Sequence, residues 1–474
     1  MGTVGILNRL GTFISSSKYN FTPSVSFRLG DSSVVTYELE IVKQSAPFDR
    51  GIVAPRGVLG AVPVSRFLGE PTDGDTYVKA TGHQLSLQHE FNADWTLYTG
   101  LGYRTSSFEG FSSDPELVAS RQPFYADATT LSRQRRERKH DTKDLTGRVE
   151  LSGSLATGAL THHVLFGADY YGYEFDQIQT RFRPTLANAY FQDQIDLTER
   201  WKALVGLRYD DFKQDITNRA TNVTTKQSDS ATSPRFGVVF EPSDAPSFYA
   251  SYSKGFRPNG GFDARGNSFK PELSKAYEIG TKVATQDDRF SATIALYKAE
   301  KSNVLTSDPI NSGFSIAAGE AQSQGVEVDV TGQITDDLSV LLSYAYTDAE
   351  VSKSVLNVNF GFSLPAGSRL INIPKNSAHV LLIQGFDVGA ARLTAGIGAT
   401  YTSDRLGETG VPSFVLPSYT LVNLTASYAP TDQFKVTVDV DDALDQTYYP
   451  SSYARLWIAP GALRTWTVRG VYRF

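Results

Sequence analysis

The sequence predicts an all-β protein, a transmembrane antiparallel β-barrel of about 19 strands. Two observations carry this prediction. Segments of alternating apolar and polar residues recur about every 20 to 25 residues, and the connections between them are tight and long in turn. This alternation, with one short rim and one elaborate rim, is typical of strands that cross a membrane between lipid and a watery lumen.

Composition favours strands over helices as the membrane-spanning elements. The 474 residues are 40% hydrophobic and 12% aromatic, with a mean hydropathy of -0.26. No run of roughly 18 apolar residues occurs, so no transmembrane helix is expected. The absence of cysteine excludes disulfides and thiolate chemistry. The net charge of -6 argues against a nucleic-acid partner, because no basic footprint is available for phosphates.

The alternating segments give each predicted strand two unlike faces. In one segment Val326 and Val328 alternate with Glu327 and Asp329. A face that carries charges cannot pack into a dry core, so we expect the valines to face lipid and the acids to face the lumen. The predicted strands lie at approximately 19–29, 33–44, 80–91, 95–107, 141–152, 160–173, 187–197, 200–213, 232–242, 246–257, 271–285, 288–300, 322–333, 337–349, 376–387, 390–403, 418–429, 432–444 and 463–474.

The connections predict the orientation of the barrel. Tight turns at 30–33, 92–94, 242–246, 286–288 and 430–432 alternate with connections of about 12 to 35 residues. Outer-membrane barrels have short periplasmic turns and long extracellular loops. The loops at 45–79, 108–140 and 350–375 are therefore expected to face outward. A β-propeller or a secreted β-solenoid is the competing architecture, and it is disfavoured because propellers do not keep long loops on one rim with lipid-type apolar faces throughout.

Motifs along the chain resemble the barrel of TonB-dependent siderophore receptors of the ferrichrome and hydroxamate type. In the last third they are NVLTSDP at 303–309, GFSIAAGE at 313–320, SQGVEVDV at 323–330, YAYTDAE at 344–350, LDQTYY at 444–449 and PGALRT at 460–465. Further upstream, APFDRG at 46–51, RFLGEP at 66–71 and YSKGFRP at 252–258 are similar to the same family. The sequence DDA at 441–443 departs from the family pattern, which usually has Asn-Leu-Phe before the Asp.

The resemblance implies a receptor in the bacterial outer membrane that captures a ferric siderophore outside the cell. Import would follow when the TonB complex pulls on an N-terminal plug. The resemblance implies no enzymatic activity and no cofactor, with iron present only in the bound ligand. Outer-membrane lipid, lipopolysaccharide and the barrel-assembly machinery are the other implied partners, and Phe474 resembles the terminal assembly signal of such proteins.

Against that family, residues 1–474 are expected to form only the barrel domain, N-terminally truncated and without the plug. The TonB complex would then act only through a segment that this chain lacks. Asn8 and Arg9 interrupt any apolar signal-peptide core. An odd count of about 19 strands also conflicts with the even counts of single-chain barrels and with the family's 22. The other explanation is a strand missed in 1–18 or in 45–79.

Two other functions stay open from the sequence. A wide barrel without a plug could act as a passive pore for small solutes. An inactive fragment would fit a sheet whose edge strands lack partners.

No catalytic or metal-binding constellation is predicted. His162 and His163 are adjacent on one strand and point to opposite faces, so they cannot chelate one metal ion. The paired acids at 210–211 and 441–442 fail for the same reason and are expected to be solvated.

Aromatic residues near the long loops are the candidate ligand contacts. Rings with a polar handle suit an amphipathic iron chelate, which needs surface contact and hydrogen bonds. An aromatic girdle at the membrane interface is the competing explanation, and it is favoured for Tyr170, Tyr171 and Tyr173. The predicted ligand-binding residues are Phe48, Phe124, Tyr125, Tyr453 and Trp457.

A basic run at 133–140 lies at the base of a long loop, near the expected level of lipopolysaccharide phosphates. Lipopolysaccharide contact or plain solvation is the favoured interpretation, and attraction of an anionic chelate to a basic mouth is the sharper alternative. The predicted lipopolysaccharide or anion contacts are Arg133, Arg135, Arg136, Arg138 and Lys139.

Overall fold

The structure, a computed structural model, describes residues 2–8, 14–287, 289–308, 314–356 and 363–473. The strands in these residues are, in chain order, β1 Gly2–Asn8, β2 Ser15–Phe21, β3 Ser24–Leu29, β4 Ser33–Pro47, β5 Asp75–Glu90, β6 Trp95–Pro115, β7 Arg133–Thr157, β8 Leu160–Gln177, β9 Thr180–Asp196, β10 Trp201–Asn218, β11 Val223–Phe240, β12 Pro246–Arg257, β13 Glu272–Ala284, β14 Phe290–Ser307, β15 Ser315–Gln333, β16 Leu338–Lys353, β17 Val355–Leu356, β18 Ser363–Leu364, β19 Asn376–Val388, β20 Ala391–Thr402, β21 Arg405–Leu406, β22 Val415–Leu416, β23 Tyr419–Thr431, β24 Phe434–Asp441, β25 Ser451–Ala454, β26 Trp457–Ala459 and β27 Thr465–Tyr472. Short 3-10 helices lie at Pro55–Gly57, Pro71–Asp73 and Ala119–Arg121, and one turn of α-helix, α1, at Phe124–Asp127. No helix in the described ranges is long and apolar enough to cross a membrane.

One antiparallel sheet of 21 strands forms the wall, which confirms the predicted fold class. β2 and β3 pair one after the other along β4 and fill a single position. The strand is interrupted between them at Thr22 and Pro23, because a proline has no N–H to donate to the ladder. Among the described residues the wall therefore has 20 positions, one more than the sequence predicted.

The additional position is β1, which pairs with β2 from Gly2 opposite Phe21 to Asn8 opposite Ser15. It lies within 1–18, one of the two segments named above as the possible place of a missed strand. GTVGILN has no clear strand signal, because it is short, contains two glycines and does not alternate. Backbone pairing needs no such pattern. With 20 positions, the argument from an odd strand number loses its premise.

Cross-strand pairing arranges the two predicted faces in continuous rows. Val328 lies directly opposite Ile294 and Tyr344, in agreement with the predicted apolar face. On the other face Asp439 forms an ion pair of 3.5 Å with Arg469. The apolar face carries many exposed large side chains, and a surface of this extent is stable only when lipid covers it.

Tight turns close one rim. At 91–94 the side-chain oxygen of Asn92 accepts hydrogen bonds from the backbone N–H groups of Asp94 and Trp95, at 2.9 and 3.0 Å. An asparagine can reverse the chain in this way without a longer loop. Asp288, predicted in another tight turn, lies outside the described residues.

The opposite rim carries long connections, including 48–74, 116–132, 258–271 and 442–464. Several connections on this rim are shorter than predicted. The predicted loop 108–140 is reduced to 116–132, and the change is largest where β8 and β9 meet at 178–179 and β10 and β11 at 219–222. Their strands continue as polar hairpins beyond the apolar belt. Polar side chains leave no hydrophobic signal, so this part of the ladder could not be distinguished from a loop in the sequence.

Candidate ligand-binding site

Three long connections fold together at the long-loop rim into a packed unit, here called the loop cap, formed by 48–64, 403–416 and 449–459. The backbone N–H of Ile52 donates to the carbonyl of Ile458 at 2.9 Å, and the reverse bond is 3.0 Å. Gly51 approaches so closely that a Cβ there would lie 1.9 Å from the Ile458 carbonyl oxygen, so only glycine fits. The buried core of the cap consists of Ile52, Ala54, Phe414, Leu416, Tyr449 and Ile458. A close-packed core fixes the side chains on its surface.

A second small core changes the interpretation of two predicted ligand contacts. Phe124, in α1, is buried against Val53 and Leu456, so it packs the cap and offers no free ring to a ligand. Tyr125 lies under Arg455, whose guanidinium carbon is 5.5 Å from the ring centroid. Burial raises the pKa of the Tyr125 hydroxyl. Phe124 therefore has a structural role in the cap, whereas Tyr125 is 37% exposed and its contact with a ligand stays a prediction.

Phe48, Arg50, Arg138 and Trp457 form a stacked group beside the cap, here called the arginine–aromatic cluster. The guanidinium carbon of Arg50 lies 4.6 Å from the Phe48 ring centroid and 4.3 Å from that of Trp457. The guanidinium carbon of Arg138 lies 4.4 Å from the Phe48 centroid. Cations this close to ring faces are held by the ring quadrupole. The sequence predicted Phe48 and Trp457 as contacts, and the structure places both in one group.

Trp457 is oriented by its indole N–H, which donates to the carbonyl of Pro115 at 3.2 Å. Its ring centroid lies 5.5 Å from that of Tyr453. The two predicted contacts from the last loop therefore form one aromatic surface, anchored to the end of β6.

A single carboxylate, Asp114, lies between the two arginines. Its side chain is only 2% exposed, and it accepts a hydrogen bond from Arg138 Nη2 at 2.6 Å. Arg138 Nε also donates to Ser112 Oγ at 2.8 Å. Arg50 Nε is 3.6 Å from the other carboxylate oxygen. Burial lowers the pKa of Arg50, and Arg138 and Arg136 lower it further against the opposing effect of Asp114, but a guanidinium stays charged at neutral pH.

A cavity of about 790 Å³ opens beside the cluster. Alternate residues of β2 line one side and the last loop lines the other. Arg50, Tyr453 and Trp457 line the cavity. Phe48 does not line it, but it packs against Arg50, which does. The lining residues are Ile14, Ser16, Lys18, Asn20, Gln44, Ala46, Pro47, Asp49, Arg50, Gly51, Val64, Ser451, Ser452, Tyr453, Trp457, Ala459, Pro460, Gly461 and Ala462. Its volume is typical of sites for small ligands.

The basic run is divided by strand alternation, because it forms the start of β7. Arg133 binds Glu70 at 3.2 Å, and Arg135 binds Asp73 at 2.7 Å. Both carboxylates belong to the connection between β4 and β5, so these arginines tie that loop to the wall. A lipopolysaccharide phosphate would have to displace Glu70 or Asp73 to bind either arginine.

The other members of the run differ in their surroundings. Arg138 belongs to the arginine–aromatic cluster, and Arg136 donates to Gln134 Oε1 at 2.6 and 3.0 Å. Lys139 is exposed and lies opposite Glu109 in the ladder. Arg138 is paired with Asp114 beside the cavity, so of the two predicted roles the contact with an anion suits its position better than the contact with lipopolysaccharide. Phe474, the predicted assembly signal, lies outside the described residues.

The tyrosines of β8 separate by face. Tyr170 lies opposite Gly147 in the row that contains the exposed Leu101, which agrees with a girdle. Tyr171 points to the other face, where its hydroxyl donates to Asp144 at 2.8 Å. Tyr173 stacks on Tyr171 with 6.1 Å between ring centroids. The girdle interpretation therefore suits Tyr170 only.

The histidines form ordinary polar pairs. His162 is 2.7 Å from Asp193, and its neighbour His163 is 3.2 Å from Asp196. In the part of the chain that the structure describes, no group of three His, Cys, Asp or Glu residues is arranged to hold a metal ion.

Comparison with known proteins decides the family. Residues 20–442 match the family model described as TonB dependent receptor-like, beta-barrel. The chain belongs to this family. TonB-dependent receptor barrels are outer-membrane proteins, so the lipid around the apolar face is that of the bacterial outer membrane.

Individual relatives of this receptor barrel carry receptor and transporter names. A metal-pseudopaline receptor of Pseudomonas aeruginosa, CntO, is 34% identical, and the match covers 94% of this chain and 66% of that protein. The ferrichrome outer membrane transporter and phage receptor of Escherichia coli is 27% identical, with 96% and 67% covered. The solved siderophore receptor PiuA from Acinetobacter baumannii has the same fold, with a TM-score of 0.89 at 20% identity over 99% of this chain and 76% of that chain. This receptor barrel spans about two thirds of the length of these curated relatives.

Sequence reasoning missed two parts of the site in this receptor barrel. Arg50 was visible in the motif APFDRG, but its position against Trp457 depends on a contact between distant loops. Asp114 lies at the end of β6, where nothing in the sequence distinguishes it from a solvated loop acid. The register of β6 and β7 puts Asp114 opposite Gln134 and Arg138 opposite Gly110, so the contact between Asp114 and Arg138 is not a direct cross-strand pair and has no local signal in the sequence.

Proposed function

We propose that this chain is the barrel of a TonB-dependent receptor that binds a metal chelate at the loop cap and takes it up across the outer membrane. The observation that carries the proposal is the cavity of about 790 Å³ lined by Arg50, Tyr453 and Trp457. Ring faces and a cation at one cavity surface are suited to a chelate that shields its metal inside an organic ligand.

The named relatives support the class of ligand. One is a metal-pseudopaline receptor, one a ferrichrome transporter, and another a ferrioxamine B receptor of Salmonella typhimurium that is 24% identical. A ferric siderophore is therefore the narrower proposal, and a hydroxamate type is narrower still. The family resemblance supplies TonB as the partner that would drive uptake.

The residues have separate tasks in this account. Trp457 and Tyr453 present a fixed aromatic surface, because Trp457 is held by Pro115 and the loop beneath it is packed on the cap core. Arg50 and Arg138 supply positive charge at the same wall. The core of the cap keeps these groups in place before the ligand arrives, which lowers the entropic cost of binding.

The proposal is tested by measuring how much radioactive metal chelate the cells take up, with the chelates that the organism itself secretes. A deletion strain of the source organism is complemented with the intact gene or with the gene carrying both Tyr453→Ala and Trp457→Ala. Chelates from the organism's own metal-starved medium are loaded with radioactive iron or zinc. Uptake should depend on the intact gene, fall in the double variant and stop with a protonophore. Uptake that persists with the protonophore would favour the passive pore, and equal uptake by all strains would contradict the proposal.

A further inference from the structure

Positive charges outnumber negative charges near the cavity, and this excess favours a negatively charged ligand. Arg50 and Arg138 share one carboxylate, Asp114, within the arginine–aromatic cluster. Arg136 acts on Arg50 as a third positive charge, and its guanidinium is bonded to the neutral amide of Gln134. The other charged residues that line the cavity are Lys18 and Asp49. Among the described residues, four cations, of which Lys18 and Arg50 line the cavity, thus lie near two carboxylates.

The two arginines hold Asp114 unequally. Arg138 makes the short bond of 2.6 Å and is 16% exposed. Arg50 is 3.6 Å from the carboxylate and 32% exposed, and its buried Nε has no hydrogen-bond acceptor among the described residues. Asp49 does not supply one, because it caps its own turn by accepting the Gly51 N–H at 2.9 Å. Asp114 therefore compensates the charge of Arg50 only weakly, and the exposed part of the guanidinium gains when an anion in the cavity supplies further acceptors.

We infer that Arg50 is the specificity-determining residue of this site and that it binds a carboxylate on an anionic metal chelate, a narrower statement that rests on the proposed function. The Arg50 guanidinium lies over the rings of both Trp457 and Phe48, which restrict its position. Arg138 and Asp114 are positioning residues, because Asp114 fixes Arg138 and the pair fixes the ring of Phe48. A guanidinium is the donor group whose planar fork matches a carboxylate.

An anionic carboxylate chelate differs from the hydroxamate-type ligand that the family resemblance implies. A ferric trihydroxamate is neutral, so its oxygens could accept hydrogen bonds from Arg50 but would leave the positive charge of Arg50 uncompensated while covering it. Covering a charge without a counter-charge costs binding free energy. An anionic carboxylate chelate pairs with the donors and is also attracted to the excess of cations before contact.

Binding to the full chain, refolded in detergent, separates the two ligand classes. The anionic probes are ferric citrate and nickel nitrilotriacetate, and the neutral probe is ferric ferrichrome, each titrated calorimetrically. Arg50→Gln should weaken the anionic probes roughly tenfold or more. Arg50→Lys should fall between, because it keeps the charge without the fork. Arg135→Gln is the matched control, since Arg135 is already paired with Asp73 on the other face. Heat-modifiable migration on gels verifies that each variant is folded.

The possible results separate a failure of the role assigned to Arg50 from a failure of the proposed function. Selective loss of the anionic probes in Arg50→Gln, with Arg135→Gln unchanged, supports the inference. Tight binding of the neutral probe that Arg50→Gln does not affect, with no binding of the anionic probes, would overturn it and leave the proposed function standing. Equal weakening of both probe classes would also overturn it. Failure of the folded chain to bind any of the three would overturn the inference and count against the proposed function as well.

Discussion

The guanidinium carbon of Arg50 lies 4.3 Å from the centroid of the Trp457 ring. This contact joins the loop that follows β4 to the loop that precedes β27. The first of these loops begins near the start of the chain and the second lies near its end, so the ligand surface exists only when the sheet has brought its distant strands together. The same contact places a cation and an indole side by side on the cavity wall.

The orientation of the barrel can be read by cysteine labelling, since the natural chain has no cysteine. Ser65→Cys lies in the exposed part of the connection between β4 and β5, and Asp287→Cys lies in the tight turn before β14. A bulky polyethylene-glycol maleimide applied to whole cells should label the first and spare the second, because tight turns face the periplasm. Lysed cells should label both. Labelling at 287 but not at 65 in intact cells would reverse the topology.

The register of β15 predicts unequal costs at neighbouring positions. Val328→Arg places a charge in the apolar row between Ile294 and Tyr344 and should cost about 2–4 kcal/mol if the site is near the bilayer midplane. Glu327→Arg, on the luminal face, should be mild. Urea unfolding in lipid vesicles, followed by tryptophan fluorescence, measures both. Equal losses of stability would refute the assigned register.

The core of the loop cap should respond separately from the wall. Leu456 is fully buried between Val53 and Phe124, and Leu456→Ala should cost about 2–5 kcal/mol of local stability through the cavity it leaves. Trypsin should then cut the folded chain faster at Arg121, while the wall stays resistant. Val58→Ala, at an exposed position of the connection that carries Val53, is the matched control. Unchanged cleavage after Leu456→Ala would show that the cap does not depend on this core.

Two tryptophans on opposite faces provide a position-sensitive readout of binding. Trp457 lines the cavity, whereas Trp466 is exposed on the apolar face opposite Val440. Quenching of tryptophan fluorescence by a bound ferric chelate should be largely lost in Trp457→Phe and retained in Trp466→Phe, because quenching requires proximity to the metal complex. If Trp466→Phe removes the signal, the chelate is not in this cavity.

The sequence predicted the wall well because its signal is local. A strand has a period of two residues, so a segment such as 322–333 reveals both of its faces on its own. β1 was missed because its short sequence lacks that period, although its backbone pairs along its full length with β2. The extended polar hairpins were read as loops for the same reason.

The site was only partly predictable because its contacts are long-range. Phe124 and Trp457 look alike as loop aromatics, and only the fold shows that one is buried in the cap while the other lines the cavity. Arg138 belonged to a basic run, but alternation along β7 turned it toward Asp114 and turned Arg135 away. No local pattern encodes either difference.

The central claim is that the cavity beside Arg50 and Trp457 binds a metal chelate, and the position of the metal tests it most directly. Crystals of the chain grown with ferric citrate, or with the chelate that binds most tightly, can be measured at the iron absorption edge. The account predicts an anomalous peak inside the cavity, next to the Trp457 ring, with a carboxylate of the ligand against Arg50. A peak elsewhere in the lumen, or none in crystals of a chain that binds the chelate in solution, would contradict it.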